Sequence, residues 1–179
     1  IARIERLEME SQRDRGRARL AHALAEADKD GDALHVAGQI ADVATRVTAL
    51  LDLRLTLEGL VAMLALEEAT AVINAVSGDD RVPLTVALAA AHAALGRRHR
   101  ALTTAHQLAE GEERDRALAR VAVALGSGGD TGSAQELVAS LSDADERDWA
   151  YEELTRLLAR VGRWDEANAI GQRISAADQ

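Results

Sequence analysis

The sequence predicts an all-α protein built from repeated helix–turn–helix units. Ala and Leu, the two strongest helix formers, number 38 and 24 among the 179 residues. Strand-favouring aromatics are scarce, with two Trp, one Tyr and no Phe. Proline, which breaks helix interiors, occurs once. Glycine also recurs at a fixed interval, since Gly96, Gly129 and Gly162 follow one another with a period of 33. Regular spacing of this length is typical of helical repeats.

The same register extends towards the N-terminus. We call the repeated position that these glycines occupy the anchor of each unit. Gly31 is taken as an earlier anchor; it precedes Gly96 by two periods less one residue, which places a further anchor between them at Leu64. Every position five residues after an anchor is apolar: Val36, Ala69, Ala101, Ala134 and Ala167. Every position twelve residues after an anchor is also apolar: Val43, Val76, Leu108, Leu141 and Ile174. Five units are therefore predicted.

The units follow one another without a linker. Residues 1–10, with Ile1, Ile4 and Leu7, read as the second helix of a preceding, incomplete unit. The five units are then assigned to residues 13–45, 46–78, 79–111, 112–143 and 144–178. The second unit is atypical, because the sequence around Leu64 contains no turn residue; we expect it to bend differently or to carry a longer helix.

The fifth unit shows the helix signals most clearly. Tyr151, Leu154 and Leu158 recur at steps of three and four, which predicts an amphipathic helix. Gly162 is placed to end that helix, as glycine does at helix C-termini. Asp143, with Glu146 three residues later, forms a capping-box pattern and predicts the start of the helix.

One helix pair cannot bury its own apolar face, so neighbouring pairs are expected to stack into a solenoid. The small residue five positions after each anchor lets two helix backbones approach closely.

The fifth unit resembles the tetratricopeptide repeat (TPR) family. The residues that carry the resemblance are Tyr151, Leu154, Leu158, Gly162, Trp164 and the run Asp165-Glu166-Ala167. It extends over roughly residues 13–178, although the other units lack the aromatics and the period is 33 instead of the usual 34. The resemblance implies a right-handed α-solenoid in which Tyr151 and Trp164 are structural. It also implies that partners bind on the concave face, formed by the first helix of each pair.

Nine residues occupy the positions that the resemblance assigns to this concave face. They are Pro83, Val86, Ala90, Arg116, Ala119, Val123, Trp149, Glu152 and Arg156. The family's clamp for C-terminal carboxylates needs polar donors where this chain has Val86, Ala119 and Val123. We therefore expect no such clamp. A largely apolar groove instead favours an amphipathic helix as ligand.

Composition excludes several classes of function. The net charge of −9 and the pI of about 5.0 disfavour nucleic-acid binding, which needs a basic face. Cysteine is absent, so disulfides, thiolate catalysis and cysteine-ligated zinc are excluded. A membrane-spanning helix needs an apolar run of roughly 18 residues, and no run approaches that length. We expect a cytoplasmic protein with no membrane partner. Twenty Arg against one Lys indicate a GC-rich genome, and we expect a bacterial source.

No metal or cofactor site is predicted. His92, His99 and His106 are spaced by seven, but Gly96 separates the first two, so they cannot share one helical face. His92 falls on a core position and the other two on the surface. The glycine-rich segment 126–132 follows a helix and lacks the lysine of a phosphate-binding loop. No catalytic constellation is apparent.

The sequence therefore predicts a non-catalytic scaffold that binds a protein or peptide on its concave face. Because Ile1 already belongs to the apolar helical pattern of residues 1–10, we expect the sequence to be a segment of a larger protein. A variant of the scaffold hypothesis is a sensory arm that regulates an attached domain. The alternative is an architectural spacer or an oligomerisation module, in which the concave face packs on itself or on a second copy. An enzyme is the least favoured class, since the groove positions are mostly apolar.

Overall fold

The computed structural model describes the backbone of residues 2–177 and the side chains of residues 7–172. Within this range every regular element is an α-helix, ten in all, which confirms the predicted all-α fold of repeated helix–turn–helix units. The chain divides into two compact units, residues 1–84 and 85–179. In residues 2–177 no helix is both long enough and apolar enough to cross a bilayer.

The first unit contains two helical hairpins. Its helices are α1 (Ala2–Glu26), α2 (Asp30–Gly38), α3 (Val43–Leu53) and α4 (Gly59–Asn74). Helix α1 packs on α2, and α3 packs on α4. The two hairpins are held together because α1 also contacts α3, and α2 contacts both α3 and α4. The core contains small and branched apolar side chains, including Ala21, Ala33, Ala37, Ile40, Val47, Leu50, Leu53, Leu66 and Ile73.

The second unit contains the remaining helices. Helix α5 (Arg81–Ala94) begins in the first unit and ends in the second, and it is followed by α6 (Arg98–Ala105), α7 (Glu112–Ser127), α8 (Thr131–Ala139), α9 (Ala144–Arg160) and α10 (Trp164–Ala177). Helix α7 packs on α6, α8 and α9, while α9 packs on α8 and α10. Its core includes Ala101, Ala117, Val121, Ala122, Val138, Leu154, Leu158 and Ile170.

Four of the hairpins share the same turn. One residue takes a left-handed conformation, with φ of 57°, 70°, 96° and 78° at Asp28, Gly96, Gly129 and Gly162. The next N–H donates to the carbonyl five residues earlier at 2.9–3.0 Å, from Lys29 to Leu24, Arg97 to His92, Asp130 to Leu125 and Arg163 to Leu158. This pattern is the Schellman motif that closes a helix C-terminus.

The first anchor predicted from the sequence is wrong. Gly31 lies inside α2, and Asp28 takes the left-handed turn conformation instead. The interval from Asp28 to Gly96 is 68, two periods of 34, so no residue is missing between them. The physical reason is that Asp tolerates this conformation better than most side chains do, so a glycine was not required there.

The second predicted anchor is also wrong. Leu64 lies in the middle of α4, and the turn of that hairpin occupies residues 54–58. Leu57 in this turn is buried in the core, and Gly59 opens α4 with φ of +54°, a conformation that favours glycine. The hairpin therefore bends earlier than its neighbours and also has a longer second helix, so both features expected as alternatives are present.

Residues 1–10 do not form a separate helix before the first unit. Residues 2–26 are one continuous helix, α1, because the segment contains no proline and its only glycine, Gly16, is accommodated without a left-handed φ. Leu7 is exposed on this helix, and the side chains of Ile1 and Ile4 lie outside the described residues. The side chain of Ile174, predicted to be apolar and inward-facing, lies outside them too.

The small residue that packs each hairpin is present in all five. The fourth residue of every second helix is a buried alanine: Ala33, Ala62, Ala101, Ala134 and Ala167. Three of these were predicted, whereas the misplaced anchors put the first two at Val36 and Ala69. Alanine at this position lets the second helix approach the first closely.

At two junctions a carboxylate joins one hairpin to the next, and we call this contact the aspartate joint. Asp14 on α1 accepts hydrogen bonds from the backbone N–H groups of Ala41 and Asp42, at 3.2 and 2.8 Å. Asp115 on α7 does the same for the N–H groups of Ser142 and Asp143, at 2.8 and 2.6 Å. Both aspartates stand fourteen positions before a left-handed turn residue, and both contact the segment that opens the next hairpin.

The opening residues of those hairpins are themselves helix caps. Asp42 accepts from the N–H of Thr45 at 2.8 Å, and Asp143 accepts from the N–H of Glu146 at 2.9 Å. The predicted cap at Asp143 is thereby confirmed. Each aspartate joint therefore places a carboxylate against the positive end of a helix, where negative charge is stabilising.

An arginine accompanies each of these joints. Its guanidinium donates to a carbonyl six residues earlier, at the end of the preceding hairpin. Arg46 donates to the carbonyl of Ile40 at 2.6 Å, and Arg147 donates to that of Leu141 at 3.5 Å. Arg114 makes the same contact to Leu108, at 2.9 and 3.1 Å. These bonds satisfy carbonyls that a helix C-terminus leaves unpaired.

Two aromatic predictions have different outcomes. Tyr151 is buried, as the resemblance implied. Trp164 is 63% exposed, so its predicted structural role is wrong. It is the first residue of α10, at the end of the turn, where its side chain lies outside the helix–helix interface.

Candidate functional site

A groove in the first unit lies between the first helices of its two hairpins. Its volume is about 700 Å³. Helix α1 forms one wall and α3, with the turn that follows it, forms the other. The lining residues are Ala18, Arg19, His22, Ala23, Glu26, Ala44, Thr45, Thr48, Ala49, Asp52, Leu53 and Leu55.

The groove exists because the facing side chains are small. Six of the twelve lining residues are Ala or Thr, at steps of three to five residues on each helix, as in Ala44 and Thr48 on α3. Such short side chains leave space between two helices that contact each other. Leu55 lies at one end and is 71% exposed, which makes it an accessible apolar side chain. Most of the lining surface is therefore apolar and open to a ligand.

Charged residues line the edges of the groove. Arg19 lies on one side, whereas Glu26 and Asp52 mark the C-terminal ends of α1 and α3. The partial negative charge of two helix C-termini adds to these two carboxylates. His22 is 3.4 Å from Glu26 and forms an ion pair with it only when protonated. This end of the groove is consequently acidic.

Arg54 is the first residue of the turn that follows α3, two positions after Asp52. Partial burial lowers the pKa of its guanidinium, and the nearby carboxylate of Asp52 opposes that shift. Among the described residues, no three His, Asp or Glu side chains cluster closely enough to hold a metal ion. His92 is buried, and His99 and His106 are exposed, as predicted.

The site residues predicted from the sequence lie elsewhere. Pro83 is an exposed residue of α5 in the first unit, and Val86 and Ala90 are half-buried residues of the same helix in the second unit. Helices α7 and α9 carry the others, and these two helices contact each other. Glu152 and Arg156 are exposed on α9.

Ala119 is not available to a partner. Its exposed fraction is 0%, because it lies on the packed side of α7 instead of its open side. Its prediction as a binding residue is therefore wrong. Val123, one turn further along α7, is half-buried and retains some accessible surface.

Trp149 and Arg116 connect α7 to α9 through polar contacts. The guanidinium carbon of Arg120 lies 3.5 Å from the ring centroid of Trp149, a cation–π geometry. Arg116 donates to Glu146 on α9 at 2.8 Å and also pairs with Glu112. Its hydrogen bond to Glu146 is the main cause of the raised pKa of Arg116. One face of the Trp149 ring is therefore covered by this chain's own arginine.

The groove in the first unit was not predicted from the sequence. The signal was present, since small residues recur at helical spacing on both α1 and α3. The anchors at Gly31 and Leu64 hid it, because the second of them placed the turn of that hairpin inside α4 and so gave the hairpin's first helix the wrong end.

Comparison with known proteins gives structural similarity alone. No protein-family model matches the sequence, and no curated protein matches it. Two crystal structures of a protein from Podosopora anserina, described as a kinesin light chain with nearly identical TPR-like repeats, are similar to this chain. Both are 19% identical, with a TM-score of 0.41 over 92% of this chain and 93% or 94% of theirs. At this level the similarity says nothing about partners or activity.

Proposed function

We propose that this protein is a non-catalytic interaction module that binds an amphipathic helix from a partner protein in the groove between α1 and α3. The observation that carries the proposal is the groove itself, an open cleft of about 700 Å³ lined by small side chains from both helices and by apolar Leu53 and Leu55. A helix laid in such a cleft can insert large apolar side chains between the two walls, which is a recurrent mode of peptide recognition.

The charges at the groove specify the partner further. Glu26 and Asp52 lie at its acidic end, and Leu55 offers an exposed apolar contact beside them. A complementary helix carries Leu, Ile or Phe at positions three and four residues apart, with a basic residue or its own N-terminus near the two carboxylates. Charge complementarity of this kind fixes orientation and speeds association.

The test uses a displayed library of amphipathic helices selected against the complete 179-residue chain. Thr48→Arg fills the groove from an exposed lining position, and Thr103→Arg on α6 adds the same side chain at an exposed position outside it. We expect selected helices to bind wild type and Thr103→Arg equally and to lose Thr48→Arg. Equal binding to all three proteins, or no enrichment of any helix, would contradict the proposal.

The accessible residues predicted on the concave face within the second unit form a second proposed contact. Support comes from Trp149, a half-buried aromatic whose stacked Arg120 can be displaced by a ligand. Trp149→Ala is compared with Trp164→Ala, which removes a tryptophan from the exposed α9–α10 turn. If selected helices tolerate both substitutions equally, this second contact is not part of the binding site.

Self-association is the architectural alternative. It predicts that the mass measured by light scattering rises with protein concentration and that Val123→Glu prevents the rise. A constant monomeric mass would remove this alternative and leave the interaction module.

A further inference from the structure

The groove between α1 and α3 continues towards the N-terminus of α1. A second concavity, of about 540 Å³, lies beside the first along both helices, and Thr45 lines both of them. Leu7 is its lining residue nearest the start of α1, and this side chain is 56% exposed. The two concavities together, which we call the extended groove, follow α1 from residue 7 to residue 26. This distance of about 30 Å is the length of a helix of about 20 residues.

The charged side chains along the extended groove change sign twice. Arg15 and Arg19 line its middle, on α1. Carboxylates line both ends, with Glu26 and Asp52 at one end and Glu10, Asp14 and Asp42 at the other. The order along α1 is therefore negative, positive, negative, and a complementary ligand has the opposite order.

The two arginines in the middle are available to a ligand. Both are exposed, and they are four residues apart on α1, so their side chains are neighbours on the helix surface. Neither guanidinium forms an ion pair or a hydrogen bond with a described residue, whereas Arg17 between them pairs with Asp14 at 3.0 Å. Like charges at this spacing repel. A carboxylate from a ligand would relieve that repulsion and accept hydrogen bonds from both guanidinium groups.

We propose that the helix bound by this protein lies along the whole extended groove and presents an acidic side chain near its middle to Arg15 and Arg19. The inference rests on the proposed function and specifies its ligand: an amphipathic helix of about 20 residues, with Glu or Asp in its middle turn and basic residues towards its ends. The occupant is a helix from a partner protein. A second copy of this chain is disfavoured, because two chains that each carry a net charge of −9 repel.

The first measurement reads the charge that the middle of the groove selects. A displayed library of amphipathic helices of about 20 residues, randomised in the middle turn, is selected against the 179-residue chain. Arg19→Glu reverses a charge in the groove, and Arg13→Glu makes the same change at an exposed position of α1 that lines neither concavity. We expect wild type and Arg13→Glu to enrich Glu or Asp in the middle turn, and Arg19→Glu to enrich Lys or Arg.

Selected helices are then compared with the same helices carrying Lys in place of the central Glu. We expect the exchange to weaken binding to wild type about three- to tenfold and to strengthen binding to Arg19→Glu. If helices bind and Thr48→Arg blocks them, but the middle turn shows no charge preference or Arg13→Glu changes it equally, this inference is wrong and the proposed function stands. If no helix binds, both are wrong.

The second measurement tests the length of the contact. Leu7 and Met9 are similarly exposed apolar residues of α1, at 56% and 59%, but Met9 lines neither concavity. We expect Leu7→Arg to weaken binding of the full-length selected helices several-fold and Met9→Arg to leave it unchanged. Equal effects of the two substitutions would overturn the proposal. So would self-association of the chain, measured by light scattering, that Arg19→Glu abolishes, because a second copy would then occupy the groove.

Discussion

Replacing Asp14 with alanine tests whether the aspartate joints hold neighbouring hairpins together. The substitution removes the hydrogen bonds from Ala41 and Asp42, at 3.2 and 2.8 Å, and the 3.0 Å ion pair with Arg17. Hydrogen bonds to a charged group contribute about 1.5–3 kcal/mol each. The partly exposed ion pair adds less than about 1 kcal/mol.

Two effects reduce this loss. Ala41 and Asp42 are exposed, so water reaches their N–H groups once the carboxylate is gone. Alanine also has a higher helix propensity than aspartate, by up to about 0.7 kcal/mol. We therefore expect a net loss of about 2–4 kcal/mol in the free energy of unfolding, measured by urea denaturation with far-UV circular dichroism. Glu8→Ala, which removes an exposed carboxylate from the same helix, should change it by less than about 0.5 kcal/mol.

The same joint predicts a pH dependence. The backbone N–H of Asp42 lowers the pKa of Asp14 below its ordinary value of 3.8; desolvation opposes the shift, and Ala41 and Arg17 reinforce it. Because the folded-state pKa is depressed, the stabilisation is present above 3.8 and is lost as the pH falls from there through the folded-state value. The stability gap between wild type and Asp14→Asn should be constant near neutral pH and should narrow below about 3.8.

Two results would refute this reasoning. One is an Asp14→Ala protein no less stable than Glu8→Ala. The other is a gap between wild type and Asp14→Asn that stays constant down to the lowest pH at which both remain folded. Either result would mean that the aspartate joint does not contribute to the free energy of unfolding.

Three further substitutions follow from the backbone and the packing. Gly126→Ala should lower the urea midpoint although it raises helix propensity, because the added Cβ would collide with the Cδ2 methyl of the buried Leu154 on α9. Gly16→Ala, with no heavy atom within 4 Å of its Cβ, should raise the midpoint, and a rise for both variants would show that α7 and α9 can separate without loss. Asp28→Gly should stabilise the first hairpin by about 1 kcal/mol by relieving its left-handed φ, and an unchanged midpoint would mean that the aspartate has compensating contacts. Arg120→Ala should shift the fluorescence of Trp149 to longer wavelength in a background without the other tryptophan, since it uncovers the ring, and an unchanged spectrum would contradict the stacking.

The all-α fold could be predicted because composition and helical periodicity act along the whole chain, but the register could be predicted only where a glycine marks the turn. Gly96, Gly129 and Gly162 were correct anchors because a left-handed residue is needed there. The first hairpin meets the same need with Asp28, and the second avoids the shared turn altogether. Residue identity did not reveal either choice, because both depend on how the surrounding core packs.

The candidate site was harder to predict because exposure depends on helix rotation. Ala119 and Val123 are both small apolar residues of α7, yet one is fully buried and the other keeps accessible surface. An error of one position in the assumed register assigns a buried residue to the exposed face of the helix, or an exposed residue to the buried face. The groove between α1 and α3 arises from small residues on the first helices of two hairpins whose turns the sequence register misplaced.

The aspartate joints have a consequence for how such a chain can change in length and fold. Each joins an aspartate to residues only 27 and 28 positions later, so all its atoms come from one hairpin and the opening of the next. Contacts this local form early and cost little loop entropy, which favours rapid folding from several starting points. A genetic duplication of one hairpin length would carry a complete joint with it, and the chain could gain or lose a hairpin without rebuilding its neighbours.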